Sequence, residues 1–212
     1  MPGAPRIAKG EGLIRTYDLL EHLRADIDAG YEALERERDS QYLRRCVVRA
    51  IFSYIEAVIE CIKVEVRSTI RTDQYRGALT DREKEALGPL TTMGAKPGRF
   101  LPLEQNPKRT FELAAKVWML DEFELQTSGE AHSSFLTAKN ARNRLTHPKT
   151  YYDIEVTDLD MHYHTVAGMW VQAQFKRLFN ARVEKLLSDL GRDDAELLRR
   201  ELKGVRNGGS EV

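Results

Sequence analysis

The sequence predicts an all-α protein, a helical bundle of about five to six helices. Two observations predict it. Apolar residues recur at three- and four-residue spacing along most of the chain, and alternating, strand-like patterning is confined to short pieces such as YYDIEV. A third supports it: between Tyr31 and Arg76 there is neither glycine nor proline to interrupt a helix.

Taken in order, Leu20, Leu23, Ile27, Tyr31 and Leu34 define one apolar face on a helix of roughly twenty residues starting near Thr16. The next helix has to start inside the uninterrupted stretch, at the N-cap candidates Asp39 or Ser40. It carries Leu43, Val47, Ala50, Ile51, Tyr54, Val58 and Ile62 on one stripe, widened by Val48, Phe52, Ile55, Ile59 and Val66, which predicts a central position in the core. TDRE at Thr80–Glu83 has the form of a capping box ahead of a short helix ending at Gly88. A stretch rich in Gly and Pro follows over 88–106, expected to be a surface excursion, with a lid carrying Lys96 and Arg99 as the alternative.

Asn106 as N-cap with Pro107 at the first helical position opens a helix bearing Phe111, Ala114, Ala115, Trp118 and Met119. A further helix runs from near Ser128 through Phe135, Ala138 and Leu145 to a stop at His147-Pro148, and Thr157 opens a long amphipathic helix through Trp170, Phe175 and Leu178. The expected organisation is a flexible N-terminus over 1–12, a helical bundle over 13–190, and a frayed helix with a C-terminal tail over 191–212.

A chain of 212 residues is long enough to bury about 70% of its unfolded surface in one core. Thirty-three Lys and Arg balance thirty-three Asp and Glu, so attraction for a polyanion must come from a local patch. The N-terminus lacks an apolar signal-peptide core and no apolar run has the length of a membrane span, which gives the expectation of a cytoplasmic protein with no membrane partner. Cys46 and Cys61 are about 22 Å apart along one helix, too far for a disulfide, and read as inert thiols. His162 and His164 point to different faces without a Cys or carboxylate cluster to complete a site, so they and the isolated His22 and His132 are expected at the surface and no metal is expected. Trp118 and Trp170 lie on apolar faces and are expected in the core.

One stretch carries chemistry. In ARNRLTHPKTYY, Asn143 and His147 are four apart and share a helix face, while Arg142 lies about 140° and about 7.5 Å from His147. Arg142 sits beside the apolar stripe of its helix and needs an anionic partner, either a phosphate or a carboxylate such as Glu56 on the second helix. Pro148 disfavours helical geometry at His147 and so presents that ring at the helix end, where an imidazole suits proton transfer near neutral pH. Lys139, Arg142, Arg144 and Lys149 fall between Glu130 and Asp153 with no acidic residue among them, the one cationic stretch of a neutral chain.

RNRLTH, Arg142–His147, resembles the signature of the HEPN superfamily, an arginine followed by a polar residue, often Asn, and by a histidine after four to six intervening residues. The preceding long helix, RRCVVRAIFSYIEAVIECI, is similar in character to the helix before the motif helix in that family. The resemblance implies a helical bundle that forms a homodimer, two motif helices lining one cleft. It also implies an endoribonuclease that needs no metal or other cofactor, of the kind found in toxin-antitoxin and phage-defence systems, with RNA as substrate and an antitoxin or other regulatory protein as a further partner. Carried over by residue, His147 and Arg142 would be catalytic and Asn143 the polar residue beside them. From the residues themselves, Lys139, Arg144 and Lys149 of the cationic stretch are expected to contact RNA, and Glu56 on the second helix to orient Arg142. The alternative is a non-catalytic HEPN-like module that binds nucleotide or RNA or supports a dimer. One departure is Lys149, which stands where toxins of the family paired with a minimal nucleotidyltransferase carry a tyrosine, so the resemblance does not extend to modification at that position.

Overall fold

The computed structural model describes the backbone of residues 7–72, 74–88, 102–191 and 193–200, and side chains from residue 18 onward. Six α-helices follow one another: α1 (Ile7–Arg36), α2 (Gln41–Arg71), α3 (Asp81–Leu87), α4 (Asn106–Val117), α5 (Glu130–Thr146) and α6 (Asp158–Asp189). A 3-10 turn, Tyr151–Ile154, links α5 to α6, and residues 193–200 are again helical. No strand occurs among the described residues.

The all-α expectation holds. α2 is the central element, with Val47, Ile55, Val58 and Ile59 fully buried, and it packs against α1, α4, α5 and α6. Two glycines set the closest approaches to it. A Cβ on Gly30 of α1 would stand 3.0 Å from Val47, and one on Gly168 of α6 would stand 3.3 Å from Ile51, so larger residues there would push those helices away. Phe111 of α4 and Phe135 of α5 complete the core between them.

Both tryptophan indoles in this core find an acceptor. The Trp118 indole donates to Thr69 Oγ1 at 3.1 Å and the Trp170 indole to the Gln126 carbonyl at 2.9 Å, which makes both tryptophans structural. Cys46 and Cys61 lie on α2 and are not joined in a disulfide.

Helix starts follow their capping residues. Ser40 caps α2, its hydroxyl accepting from the Leu43 amide, and Thr80 and Glu83 form a reciprocal capping box on α3. Glu83 also accepts from Lys116 at 2.6 Å, which ties α3 to α4. Removing the cap in Thr80→Ala is expected to lower stability by about 1 kcal/mol, read as a shift of the urea midpoint at constant slope.

Three expectations are corrected. α1 begins at Ile7 rather than near Thr16, so residues 7–12 are helical; no proline lies between Ile7 and Arg36, and the glycines of this segment weaken a helix without blocking it. Gln105, not Asn106, stands at the N-cap position of α4, without a side-chain capping bond, and Asn106 is already helical, because its amide donates to the Pro102 carbonyl at 3.0 Å and closes a turn one residue earlier. YYDIEV is no strand: Asp153 accepts from the amide and hydroxyl of Thr150 and winds the chain into the 3-10 turn. Lys96 and Arg99 of the Gly/Pro-rich excursion lie outside the described residues, as does most of the C-terminal tail. No helix among the described residues is long and apolar enough to cross a membrane.

Candidate functional site at the end of the fifth helix

α5 is placed by its apolar face. Phe135, Ala138, Ala141 and Leu145 are buried against α2 and α6, and this rotation leaves Arg142 and Asn143 at the edge of the contact with α2. Glu56 lies at the edge of the α2 stripe and meets Arg142 there, Nη2 donating to Oε1 at 2.8 Å. The other guanidinium nitrogen, Nη1, lies 3.4 Å from Asn143 Oδ1. The side chains of Arg142 and Glu56 are 31% and 45% exposed, so the pair contributes at most about 1 kcal/mol and acts mainly to orient the guanidinium.

The pair opens onto a cleft of about 500 Å³ between α2, α5 and the start of α4, with Glu60, Glu104, Asn106 and Asn143 among its walls. Glu104 is engaged by Lys139 at 3.4 Å and Glu60 by Lys63 at 2.8 Å. The backbone N–H of Glu104 itself and, to a lesser degree, the Lys139 ammonium hold the Glu104 carboxyl below its usual range. Three carboxylates thus lie around one arginine, and the cleft is polar and mixed in charge rather than simply cationic.

His147 is the C-cap of α5. Its backbone has left helical geometry at φ −129° and ψ 60°, as the following proline requires, while its amide still donates to the Asn143 carbonyl at 3.1 Å. The ring is exposed and makes no hydrogen bond among the described residues. The helix end therefore brings Arg142, Asn143 and Glu56 into contact and leaves His147 one turn further on, facing solvent.

Arg144 departs from its expected role. Its Nη1 donates to the carbonyls of Tyr152, Asp153 and Glu155 at 3.1, 3.1 and 2.6 Å, and its Nη2 to Asp160 Oδ2 at 3.0 Å. A guanidinium used in this way closes the loop after His147 onto the start of α6. Arg45 and Gln41 of α2 hold the same loop, Arg45 on the Ile154 carbonyl at 3.1 Å and Gln41 on both backbone groups of Val156. This clamp was not foreseen from the sequence, although T-D-L-D at Thr157–Asp160 carries the capping-box spacing that places Asp160.

In space the cationic stretch is largely paired. Lys139 meets Glu104, Arg142 meets Glu56 and Arg144 meets Asp160, all carboxylates from outside the stretch. The Lys149 ammonium alone of the four has no carboxylate partner among the described residues.

The histidines sort differently from expectation. His22 and His162 are exposed, but His132 is half-buried against Trp170 and Phe135 and His164 is fully buried. His164 lies at helical spacing from Met161, Ala167 and Val171, so it belongs to the apolar stripe of α6, a signal present in the sequence. Its Nδ1 is 2.5 Å from the Asp160 carbonyl, its edge meets the Phe52 ring, and its Nε2 has no hydrogen-bond partner among the described residues. Burial pushes its pKa down, as it does that of His132. The unfolded chain therefore takes up a proton near pH 6.5 that the folded chain refuses, and stability falls as pH drops below about 6.5. Urea midpoints measured at about pH 7.5 and about pH 5 are expected to differ less in His164→Leu than in the unsubstituted chain.

Among the described residues no group of three or more His, Cys, Asp or Glu is placed to hold a metal ion. No known protein family, curated protein or solved structure matches the chain.

Proposed function

We propose that the end of α5 is the reactive centre of an endoribonuclease of HEPN type that works without a metal. The observation that carries this reading is the pairing of an arginine oriented by Glu56 at the mouth of a cleft with a histidine on the same helix end whose ring is exposed and uncommitted. In the reaction His147 takes the proton of an RNA 2′-hydroxyl, whose oxygen forms a bond to the adjacent phosphorus. The bond from phosphorus to the 5′-oxygen breaks, and that oxygen takes a proton from solvent. Arg142 keeps guanidinium N–H groups beyond those on Glu56 and Asn143, and they stabilise charge on the phosphate oxygens. Products are a 2′,3′-cyclic phosphate and a 5′-hydroxyl. Asn143 holds the Arg142 guanidinium from its own side, and Lys149 supplies a phosphate contact.

This reading includes a homodimer with the two motif helices facing one another, and a setting in which a second protein restrains the activity, as for a toxin or a defence effector. A second reading, a non-catalytic module that binds nucleotide or RNA or supports a dimer, is favoured by the carboxylates Glu60 and Glu104, which lower the cationic field of the cleft. Incubation with single-stranded RNA and with DNA of the same sequence in excess chelator separates the two. Cleavage of the RNA alone is expected; binding of RNA with no cleavage would select the second reading.

A further inference from the structure

We propose that Tyr151 and Tyr152 form a stacking platform for an unpaired base of single-stranded RNA beside the cleavage site, an inference that rests on the ribonuclease reading. Their side chains, 78% and 76% exposed, are the most exposed large apolar groups among the described residues. Neither phenolic hydroxyl makes a hydrogen bond to a described residue. Single exposed aromatics are ordinary on a protein surface. Two adjacent ones on an otherwise immobilised turn are a different matter.

The immobilisation is specific. Thr150 and Asp153 close the turn on itself, Arg144 holds the carbonyls of Tyr152, Asp153 and Glu155, and Arg45 holds that of Ile154. The backbone bearing the two rings is thereby ordered before any ligand arrives, so binding on it costs little further conformational freedom. The rings lie 6.2 Å apart between centroids at 78°, an edge-to-face pair. In such a pair the edge of one ring covers one face of the other, and a π-face is left over for a third aromatic group.

Chemistry and place identify the occupant. Bases of any sequence stack on aromatic side chains, and single-strand sites combine such stacking with cations that follow the phosphates. Lys149, two residues before Tyr151, carries the ammonium that has no carboxylate partner among the described residues. His147 is four residues before Tyr151, joined to it through Pro148, whose fixed φ limits the freedom of the link. A base on the platform would hold a neighbouring phosphodiester near the exposed imidazole.

The test uses the full chain and a labelled single-stranded 2′-O-methyl RNA, which cannot be cut, followed by fluorescence anisotropy. The double substitution Tyr151→Ala with Tyr152→Ala is expected to weaken binding about tenfold or more, the loss typical of one stacked base. Tyr151→Phe with Tyr152→Phe is expected to bind as the unsubstituted chain does, and the corresponding leucine pair to bind as weakly as the alanine pair. An abasic strand of equal length and charge is expected to be bound equally by all four proteins. Leucine matching tyrosine, or equal losses on the abasic strand, would overturn the platform. So would an altered oligomeric state in light scattering with RNA binding unchanged, which would assign the pair to an interface between copies of the chain. Cleavage assays separate the two failures: if cleavage depends on His147 but its KM ignores the tyrosines, only the platform falls, whereas no binding and no cleavage of RNA by the unsubstituted chain removes both.

Discussion

Replacing His147 by alanine is expected to lower the rate of RNA cleavage by roughly 100- to 10,000-fold, the range for loss of a positioned acid–base group, and to leave the thermal midpoint unchanged. The two halves of this expectation have separate physical origins. The ring is exposed and makes no hydrogen bond to a described residue, so the fold loses no hydrogen bond with it. The helix end is held instead by the backbone, through the His147 amide on the Asn143 carbonyl and through Pro148. Arg142→Ala is expected to abolish cleavage as well, at little cost in stability, since its pair with Glu56 is half exposed. The two substitutions together are expected to cost about as much as either alone if both groups act on one phosphodiester. A loss of activity in His147→Ala that runs parallel with a loss of thermal stability would assign the histidine a structural role.

Arg144→Ala is expected to do the opposite, destabilising the protein first and costing activity as a result. Its guanidinium satisfies three carbonyls and the Asp160 carboxylate, with side chains 29% and 18% exposed for Arg144 and Asp160. Leaving these acceptors without their charged donor is expected to cost roughly 2–3 kcal/mol. For a chain of this size that corresponds to a fall of roughly 5–10 °C in thermal midpoint. Arg144→Lys is expected to recover little, because one ammonium cannot reach both rows of acceptors that the planar fork spans. Unchanged stability with weakened RNA binding in Arg144→Ala would restore the role the sequence suggested for it.

That reversal shows where the sequence was legible and where it was not. Local signals translated directly. Ser40, Thr80 and Thr157 each cap the helix that the pattern placed after them, and His147-Pro148 ends α5 where the proline says it must. These depend on neighbours within four residues. The width of the α2 stripe likewise announced its central burial, because a helix apolar around most of its circumference has to be covered on several sides.

What was not legible depends on partners distant in sequence. The cationic stretch contains no acid, yet Glu56, Glu104 and Asp160 reach three of its four cations from other elements. Of these, Glu56 alone was anticipated, as a carboxylate of the second helix able to meet Arg142. YYDIEV has the aromatic and β-branched composition of a strand, a preference that is mostly packing and that yields when no neighbouring strand exists to pair with. Here the Thr150–Asp153 bonds and the Arg144 fork take up the backbone groups that a sheet would have used. His164 was misplaced because its polar identity outweighed its spacing, although Met161, Ala167 and Val171 mark the same buried face.

The most direct measurement of the central claim is mass spectrometry of the fragments that the purified chain leaves from a single-stranded RNA in excess chelator, beside His147→Ala. The account predicts 5′-fragments ending in a 2′,3′-cyclic phosphate, 3′-fragments beginning with a 5′-hydroxyl, and neither from the variant. Fragments with linear 3′-hydroxyl and 5′-phosphate ends, or cyclic ends produced equally by His147→Ala, would contradict it.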